Sequence, residues 1–330
     1  MTIAAAVVQG ILLTFALMVI LMPPFIVLLR RLGFGKRIRV EGPQTHYVKE
    51  GTPTMGGVLM IAVVALSAVL FHVVGHDDFL GPQTIAPILT LLFIGGLGTF
   101  DDYLNVTTGE GIRIRQKLLW QVAASLFIAY QIQTTYNVRA LTVPFIGDVP
   151  IEPWIYIIFA AFTIVATTNG VNFTDGLDGL AGGTLIFAFV AYMIIALLSG
   201  QTNLAILCAL LIGALLGFLW FNVHPAQVFM GDAGALAMGA TLAVVSLITG
   251  QILLLPLIGI IFVVEVVSDV IQIGYYKMTH KRVFKMAPLH NHFELSGWDE
   301  EKITMRFWIV GVLAAMLGVT FYFSTLVATP

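Results

Sequence analysis

Long apolar runs separated by short polar segments make up most of the chain. A helix of about 17 to 25 apolar residues is long enough to cross the hydrocarbon core of a bilayer. Ten such runs occur, at 4–29, 54–74, 84–100, 118–136, 153–168, 180–198, 203–221, 234–249, 252–276 and 304–326. Polar residues interrupt the ninth run, which predicts a bent or partial span there.

The composition agrees with this pattern. Hydrophobic residues make up 58% of the 330 residues and charged residues only 10%. A soluble domain of this length could not expose so much apolar surface to water. We therefore predict an all-α polytopic membrane protein that forms one integral-membrane domain over 1–330. Its surroundings are the lipid bilayer, and no nucleic acid is expected as a partner.

The positive charges predict how the spans are oriented. Lys and Arg near the ends of spans collect on the cytoplasmic side. Of the 16 here, 15 lie in 30–53, 101–117 and 277–306, which all follow odd-numbered runs, and Arg139 is the exception. No basic segment precedes the first run, so we expect a retained helix rather than a cleaved signal peptide. Both termini are predicted on the outer face and the working site on the cytoplasmic face.

Two acidic motifs stand at span ends on that cytoplasmic face. Asp101 and Asp102 end the third run, where adjacent carboxylates repel each other unless a cation lies near them. Asp232 closes F-M-G-D before a Gly-rich and Ala-rich run, near a helix N-terminus that favours an anion. A solvated helix end for the pair and a structural N-cap for Asp232 are the alternatives.

The stretch N-G-V-N-F-T-D-G-L-D-G-L-A-G-G at 169–183 carries oxygen-bearing side chains at every third position. On a helix or a 3₁₀ turn, Asn169, Asn172, Asp175 and Asp178 would lie on neighbouring sides of one surface. Such ligands suit Mg²⁺ or the hydroxyl groups of a sugar nucleotide. A polar loop that caps a helix explains the same residues.

Bases are found on the same face. P-L-H-N-H-F-E at 288–294 holds two histidines. Zinc binding is the weaker interpretation, because the one cysteine, Cys208, lies inside an apolar run and cannot complete a zinc site. Contact with phosphate or sugar is the better interpretation. An ordinary surface loop is the alternative. Lys49 and Lys117 stand at span ends where they could meet phosphate, or could simply extend to the membrane interface.

The ninth run carries Glu265, Asp269 and Gln272 on one helix face. Intramembrane acids are costly and face protein or a polar cavity, so alone they would indicate an ion-coupled transporter. No other run places acids at mid-membrane depth. Acids, amides and bases gathered at one face instead favour phosphoryl transfer between a nucleotide sugar and a membrane lipid.

The motifs also match a known family in order along the whole chain. They are G-T-P-T-M-G-G (51–57), F-D-D-Y (100–103), R-Q-K (115–117), the 169–183 stretch, F-N-x-x-P-A-x-V-F-M-G-D (221–232), E-x-x-S-x-x-x-Q (265–272) and K-M-A-P-L-H-N-H-F-E (285–294). The chain resembles the phospho-N-acetylmuramoyl-pentapeptide transferases, within the superfamily of polyprenyl-phosphate N-acetylhexosamine-1-phosphate transferases.

The resemblance implies a dimeric, ten-helix enzyme of the bacterial inner (cytoplasmic) membrane. Such an enzyme transfers phospho-MurNAc-pentapeptide from UDP-MurNAc-pentapeptide to undecaprenyl phosphate with Mg²⁺, and forms lipid I and UMP. By motif, Asp232 would bind Mg²⁺, Asp101 would activate the lipid phosphate, and Asp102 would support Asp101 in catalysis.

Further matched positions would bind substrate. The resemblance implies Lys49, Asp178 and Phe229 around uracil, Thr54, Asn172 and Asp175 along the nucleoside and sugar, and Lys117, Asn222, Gln272, His290, Asn291 and His292 in the remaining polar pocket. The family has three consecutive histidines where this chain has Asn291 in the middle. Asparagine keeps a donor and an acceptor but cannot carry a proton charge.

Three alternatives to this function remain at the level of sequence. A sister enzyme that uses UDP-GlcNAc would share the aspartate motifs, although G-T-P-T-M-G-G and P-L-H-x-H-F-E favour the muramoyl enzymes. The ion-coupled transporter is the alternative of a different class. A lipid-binding scaffold with decayed catalytic residues is the third.

Overall fold

A computed structural model describes residues 2–35, 49–74 and 78–328, and most of them are helical. The α-helices of these residues are α1 (Ile3–Arg31), α2 (Gly56–Val73), α3 (Pro82–Thr108), α4 (Ile114–Tyr136), α5 (Pro153–Thr174), α6 (Leu180–Leu198), α7 (Thr202–Asn222), α8 (Gly231–Ile248), α9 (Leu255–Ile258), α10 (Ile260–Thr279), α11 (Leu289–Glu294) and α12 (Glu300–Ala328). The basic residues predicted within 36–48 lie outside the described residues.

Eight of the described helices are long and apolar enough to cross a membrane, and the bent pair α9 and α10 brings the number up to nine. The predicted bend in the ninth run is confirmed: the two parts meet at 79°, around Gly259. The predicted count of ten is not confirmed. The fourth run does form α4, but its glutamines and threonines leave that helix less apolar than the others.

A small β-hairpin departs from the all-helical expectation. Strands β1 (Ala140–Val143) and β2 (Gly147–Pro150) pair antiparallel, with Ala140 opposite Pro150, between α4 and α5. Phe145 in the turn and Gly147 at the start of β2 have positive φ angles of 65° and 97°. The hairpin follows Arg139, the one basic residue predicted on the outer face.

Helix α8 lies at the centre of the bundle. Every residue from 233 to 248 is buried, and the helix packs against α3, α5 and α2. Its many glycines and alanines allow neighbouring backbones to come close. At Gly57 the approach is so close that an added Cβ would overlap the backbone of Gly234. The first turn of α8, which carries Asp232, is therefore packed closely against α2.

Short connections bring the candidate residues to one end of this bundle. The carboxyl ends of α3, α5 and α7 lie beside the amino ends of α4, α6 and α8, to which they are joined. The carboxyl end of α10, the short helix α11 and the amino end of α12 follow one another directly in the chain. All the predicted site residues belong to these ends or to the segment that leads into α2.

Candidate active site at one end of the bundle

A partly buried ion-pair cluster joins α3, α4, α5 and α8. The ammonium group of Lys117 lies 2.9 Å from Asp101 Oδ2 and forms a second ion pair with Asp232 Oδ2. Asn172 Nδ2 donates to Asp232 Oδ1 over 2.8 Å, and the Ile112 N–H donates to Asp101 Oδ1. Four residues predicted from separate motifs thus form one hydrogen-bonded group, which we call the Asp232 cluster.

Asp102 has a different position from its neighbour Asp101. Its Oδ1 and Oδ2 accept the backbone N–H groups of Asp232 and Ala233 over 3.1 and 3.0 Å. A carboxylate at a helix N-terminus satisfies unpaired donors and is favoured by the helix dipole. Asp102, which is 7% exposed, therefore caps α8. The N-cap alternative for Asp232 is wrong, and its side chain faces Lys117 and Asn172 instead.

The charges around Asp232 do not balance. Among the described residues, the ammonium group of Lys117 pairs with both Asp101 and Asp232, and Asp102 adds a third carboxyl group at the backbone of Asp232. Excess negative charge in a partly buried place is costly unless a cation compensates it. Carboxylate and amide oxygens are hard ligands that suit Mg²⁺. The Asp232 cluster therefore fits a divalent metal ion in both charge and donor type.

A second group of charges, which we call the Lys49 cluster, joins the segment before α2 to α6 and α12. Lys49 Nζ lies 2.7 Å from Asp178 Oδ1 and 2.5 Å from Glu300 Oε1. Glu300 Oε1 also accepts the backbone N–H of Asp178 over 2.6 Å. Asp178 Oδ2 accepts the Ala226 N–H over 3.0 Å and lies 3.0 Å from His224 Nδ1.

Glu300 and His224 are members of this cluster that the sequence analysis missed. Both lie in segments predicted to be cytoplasmic, and the acidic pair at 300–301 beside basic residues was an available signal. The ligand atoms of Asp178, His224 and Glu300 lie within 4.8 Å of one another, so they could hold a metal ion. Because Lys49 already pairs with two of them, a metal there would have to displace its ammonium group.

The four oxygen-bearing residues of 169–178 do not form one ligand set. Asn169 Nδ2 donates to Gln121 Oε1 of α4 over 2.8 Å, whereas Asn172 belongs to the Asp232 cluster and Asp178 to the Lys49 cluster. Asp175 ends α5 as its C-cap. The expectation of a single surface is therefore wrong, and the stretch instead connects the two clusters.

Main-chain pairing brings the G-T-P-T-M-G-G motif (51–57) against Phe229. The Phe229 N–H donates to Pro53 O over 2.8 Å, and the Gly56 N–H donates back to Phe229 O over 2.8 Å. Thr54 is buried beside this pairing. Gly231 has φ +72°, and a Cβ there would meet Thr54 Oγ1 and Asp102 Oδ2. Glycine is therefore required where the loop turns into α8.

Two predicted binding residues have their polar atoms engaged by the main chain. Asn222 Oδ1 accepts the Gly179 N–H over 3.0 Å, and its Nδ2 donates to Val228 O over 2.9 Å. Gln272 Oε1 accepts the N–H groups of 283 and 284, each over 3.0 Å. Both side chains therefore brace the loops that shape the site.

The two histidines of α11 have separate partners. His290 Nδ1 lies 3.0 Å from Glu265 Oε2, and His292 Nδ1 accepts the Lys285 N–H over 3.1 Å. Asn291 between them is buried. The Nδ1 atom of each ring is therefore engaged by a different part of the protein.

The bundle and its clusters of acids and bases define an integral-membrane phosphoglycosyl transferase. Residues 84–250 match glycosyl transferase family 4, and 49–61 match phospho-N-acetylmuramoyl-pentapeptide-transferase signature 1. Proteins named phospho-N-acetylmuramoyl-pentapeptide-transferase are similar to this chain over most of its length. The one from Desulfotalea psychrophila is 40% identical over 92% of this chain and 89% of its own. Those from Chloroflexus aurantiacus and Clostridioides difficile are 44% and 40% identical, over 88% and 93% of this chain and 82% and 95% of their own. The chain belongs to the phospho-N-acetylmuramoyl-pentapeptide transferase family.

Proposed function

We propose that the protein transfers phospho-MurNAc-pentapeptide from UDP-MurNAc-pentapeptide to undecaprenyl phosphate, releasing UMP and forming lipid I. The observation that carries this proposal is the Asp232 cluster at the end of a membrane bundle, where a soluble nucleotide and a lipid phosphate can meet. The bacterial inner membrane, the homodimer, and ten spans with both termini outside are parts of the same proposal.

Mg²⁺ is the metal ion we propose for the Asp232 cluster. Asp232 would hold it, with Asp101 as the nearest further carboxylate across Lys117. When bound, Mg²⁺ would neutralise charge on the diphosphate. Asp178, His224 and Glu300 are less suited to this role because Lys49 already balances much of their charge.

The protein side chains can perform the transfer by direct attack. Asp101 would accept a proton from the lipid phosphate, whose oxygen would form a bond to the β-phosphorus of the UDP substrate. The bond from that phosphorus to the bridging oxygen would break, and UMP would leave with the electron pair. Lys117, held between Asp101 and Asp232, would stabilise charge as it develops. Asp102 would act through α8, by fixing Asp232.

The Lys49 cluster is the proposed nucleoside side of the site. Lys49, Asp178 and Phe229 lie on segments joined by hydrogen bonds, and Glu300 ties Lys49 to the backbone of Asp178. Asn172 and Asp178 stand at opposite ends of one short stretch, so the same loop would face both the diphosphate and the uridine.

Glu300→Gln should weaken binding of the UDP substrate. The substitution removes the charge that holds Lys49 but keeps the size of the side chain. Hydrogen bonds to charged groups contribute about 1.5–3 kcal/mol, so we expect KM for UDP-MurNAc-pentapeptide to rise about tenfold with a smaller change in kcat. Glu152→Gln is the matched control, because Glu152 is exposed at the amino end of α5 and its side chain makes no capping hydrogen bond there. Equal KM values for the two variants would refute the role of Glu300.

The proposed function is tested by UMP release from purified protein in detergent. Undecaprenyl phosphate and Mg²⁺ are supplied with UDP-MurNAc-pentapeptide in one reaction and UDP-GlcNAc in another. Release only in the first is expected. Release only with UDP-GlcNAc would assign the protein to the sister activity, and no release in either would favour the scaffold alternative. Trapping a phospho-MurNAc adduct on Asp101 would replace direct attack by a covalent mechanism.

A further inference from the structure

Glu265 is a fully buried acid that the proposed mechanism does not use. It lies on α10 with 0% exposure, and its Oε2 is 3.0 Å from Nδ1 of His290, itself only 2% exposed. Its other oxygen, Oε1, has no hydrogen-bond partner among the residues described. A buried carboxyl group without hydrogen-bond partners is costly, and His290 is the described residue that contacts this one, through Nδ1 and through its backbone N–H over 3.5 Å.

This contact bears on which ring nitrogen of His290 carries the proton. A carboxylate only accepts hydrogen bonds, so an ionised Glu265 pairs with the tautomer that carries its proton on Nδ1 and leaves Nε2 without one. Such a partner on one nitrogen sets the tautomer and orientation of an imidazole. Neutral His290 in this tautomer presents Nε2 as a hydrogen-bond acceptor.

The accepting nitrogen faces the stretch that joins the two clusters. A Cβ added to Gly176 would overlap His290 Nε2 and come within 2.7 Å of Cε1. Gly176 lies between Asn172, which contacts Asp232, and Asp178, which contacts Lys49. The ring is therefore packed directly against the loop that would carry the sugar part of the substrate.

We propose that Glu265 is a positioning residue that acts through His290. It holds the Nδ1–H tautomer and directs Nε2 at the 175–178 loop, as an acceptor for a hydroxyl or amide N–H of the bound amino sugar. The ligand class rests on the proposed function, whereas the tautomer and its dependence on Glu265 do not. The inference also gives the E-x-x-S-x-x-x-Q motif a role other than ion transport.

Nitrogen NMR of ¹⁵N-histidine-labelled full-length protein in detergent, without substrate, tests the positioning. His290 is assigned by difference from His290→Gln. We expect Nδ1 protonated and Nε2 bare in the unmodified protein and in Glu265→Gln, which keeps an oxygen acceptor. Glu265→Leu should lose this preference. An Nε2–H tautomer in the unmodified protein, or the same tautomer in folded Glu265→Leu, would overturn the proposal.

Kinetics supply the second readout. Glu265→Leu should lower kcat for UMP release about tenfold or more while KM for undecaprenyl phosphate stays within twofold, and Glu265→Gln should recover most of the rate. Asp269→Asn, one helical turn further along α10, is the matched control and should stay within twofold of the unmodified rate. If Glu265→Leu does not fold, loss of both tautomer and rate in Glu265→Gln would contradict the proposal. An inactive unmodified protein with the expected tautomer would count against the proposed function alone.

Discussion

Asp232→Asn is expected to lower the rate of UMP release by about a thousandfold. The substitution keeps the size of the side chain and an oxygen that can accept from Asn172, but it removes the charge proposed to hold Mg²⁺. Metal ions contribute several kcal/mol of charge stabilisation in a transition state, and about 4 kcal/mol corresponds to a thousandfold in rate. The measurement is UMP release over a wide range of Mg²⁺ concentrations, with both substrates saturating.

Asp148→Asn provides the control for this loss. Asp148 lies in strand β2, away from the Asp232 cluster, and its side chain accepts from Thr142. This variant should keep the unmodified rate and the same dependence on Mg²⁺. Normal turnover by Asp232→Asn at low Mg²⁺ would show that Asp232 is not the metal ligand.

Lys117→Gln is expected to have the second-largest effect. Without its ammonium group, Asp101 and Asp232 lose the cation that they share. We expect kcat to fall about a hundredfold, the size of effect seen when one transition-state donor is removed. The Mg²⁺ concentration that gives half the maximal rate should also fall, because a competing cation has been removed from Asp232.

The opposite Mg²⁺ responses separate the two roles. Asp232→Asn should need more Mg²⁺ for any residual rate, whereas Lys117→Gln should need less. Lys117→Arg keeps the positive charge and is expected to retain more activity than Lys117→Gln. A rise in the Mg²⁺ requirement of Lys117→Gln would contradict the arrangement of one ammonium group between two carboxylates.

The helical architecture could be predicted because apolar runs of spanning length have few alternatives in a bilayer. The bend in the ninth run could also be predicted, since polar residues interrupt that run. The β-hairpin was not, because each strand has only four residues and no apolar alternation long enough to distinguish it from a loop. Helix α4 shows the limit of composition, since packing against α5 stabilises a helix less apolar than its neighbours.

The end of the bundle that carries the site could be predicted from the order of the spans, but the partners within it could not. Spacing every third residue suggested one surface for 169–178, whereas Asn172 and Asp178 contact different clusters. Glu300 meets Lys49 across 251 positions of sequence and the Asp178 N–H across 122. Contacts of that range leave no local pattern in a single chain.

The role of Asp102 illustrates the same limit. By resemblance, both adjacent acids belong to the catalytic group, with Asp101 as the activating residue and Asp102 as its support. The structure separates them, because one helix turns Asp101 towards Lys117 and Asp102 towards the N–H groups that open α8. Only the position of α8, set by its packing between α3 and α5, reveals that difference.

The most direct test of the account is the identity of the lipid product. Protein in vesicles that contain undecaprenyl phosphate is supplied with UDP-MurNAc-pentapeptide and Mg²⁺. The mass of the extracted lipid is determined by mass spectrometry, and the released UMP is quantified. We predict undecaprenyl diphosphate bearing MurNAc-pentapeptide, formed in equal amount to UMP and absent with Asp232→Asn. Substrate that enters the vesicles unchanged, or UMP released without that lipid, would contradict it.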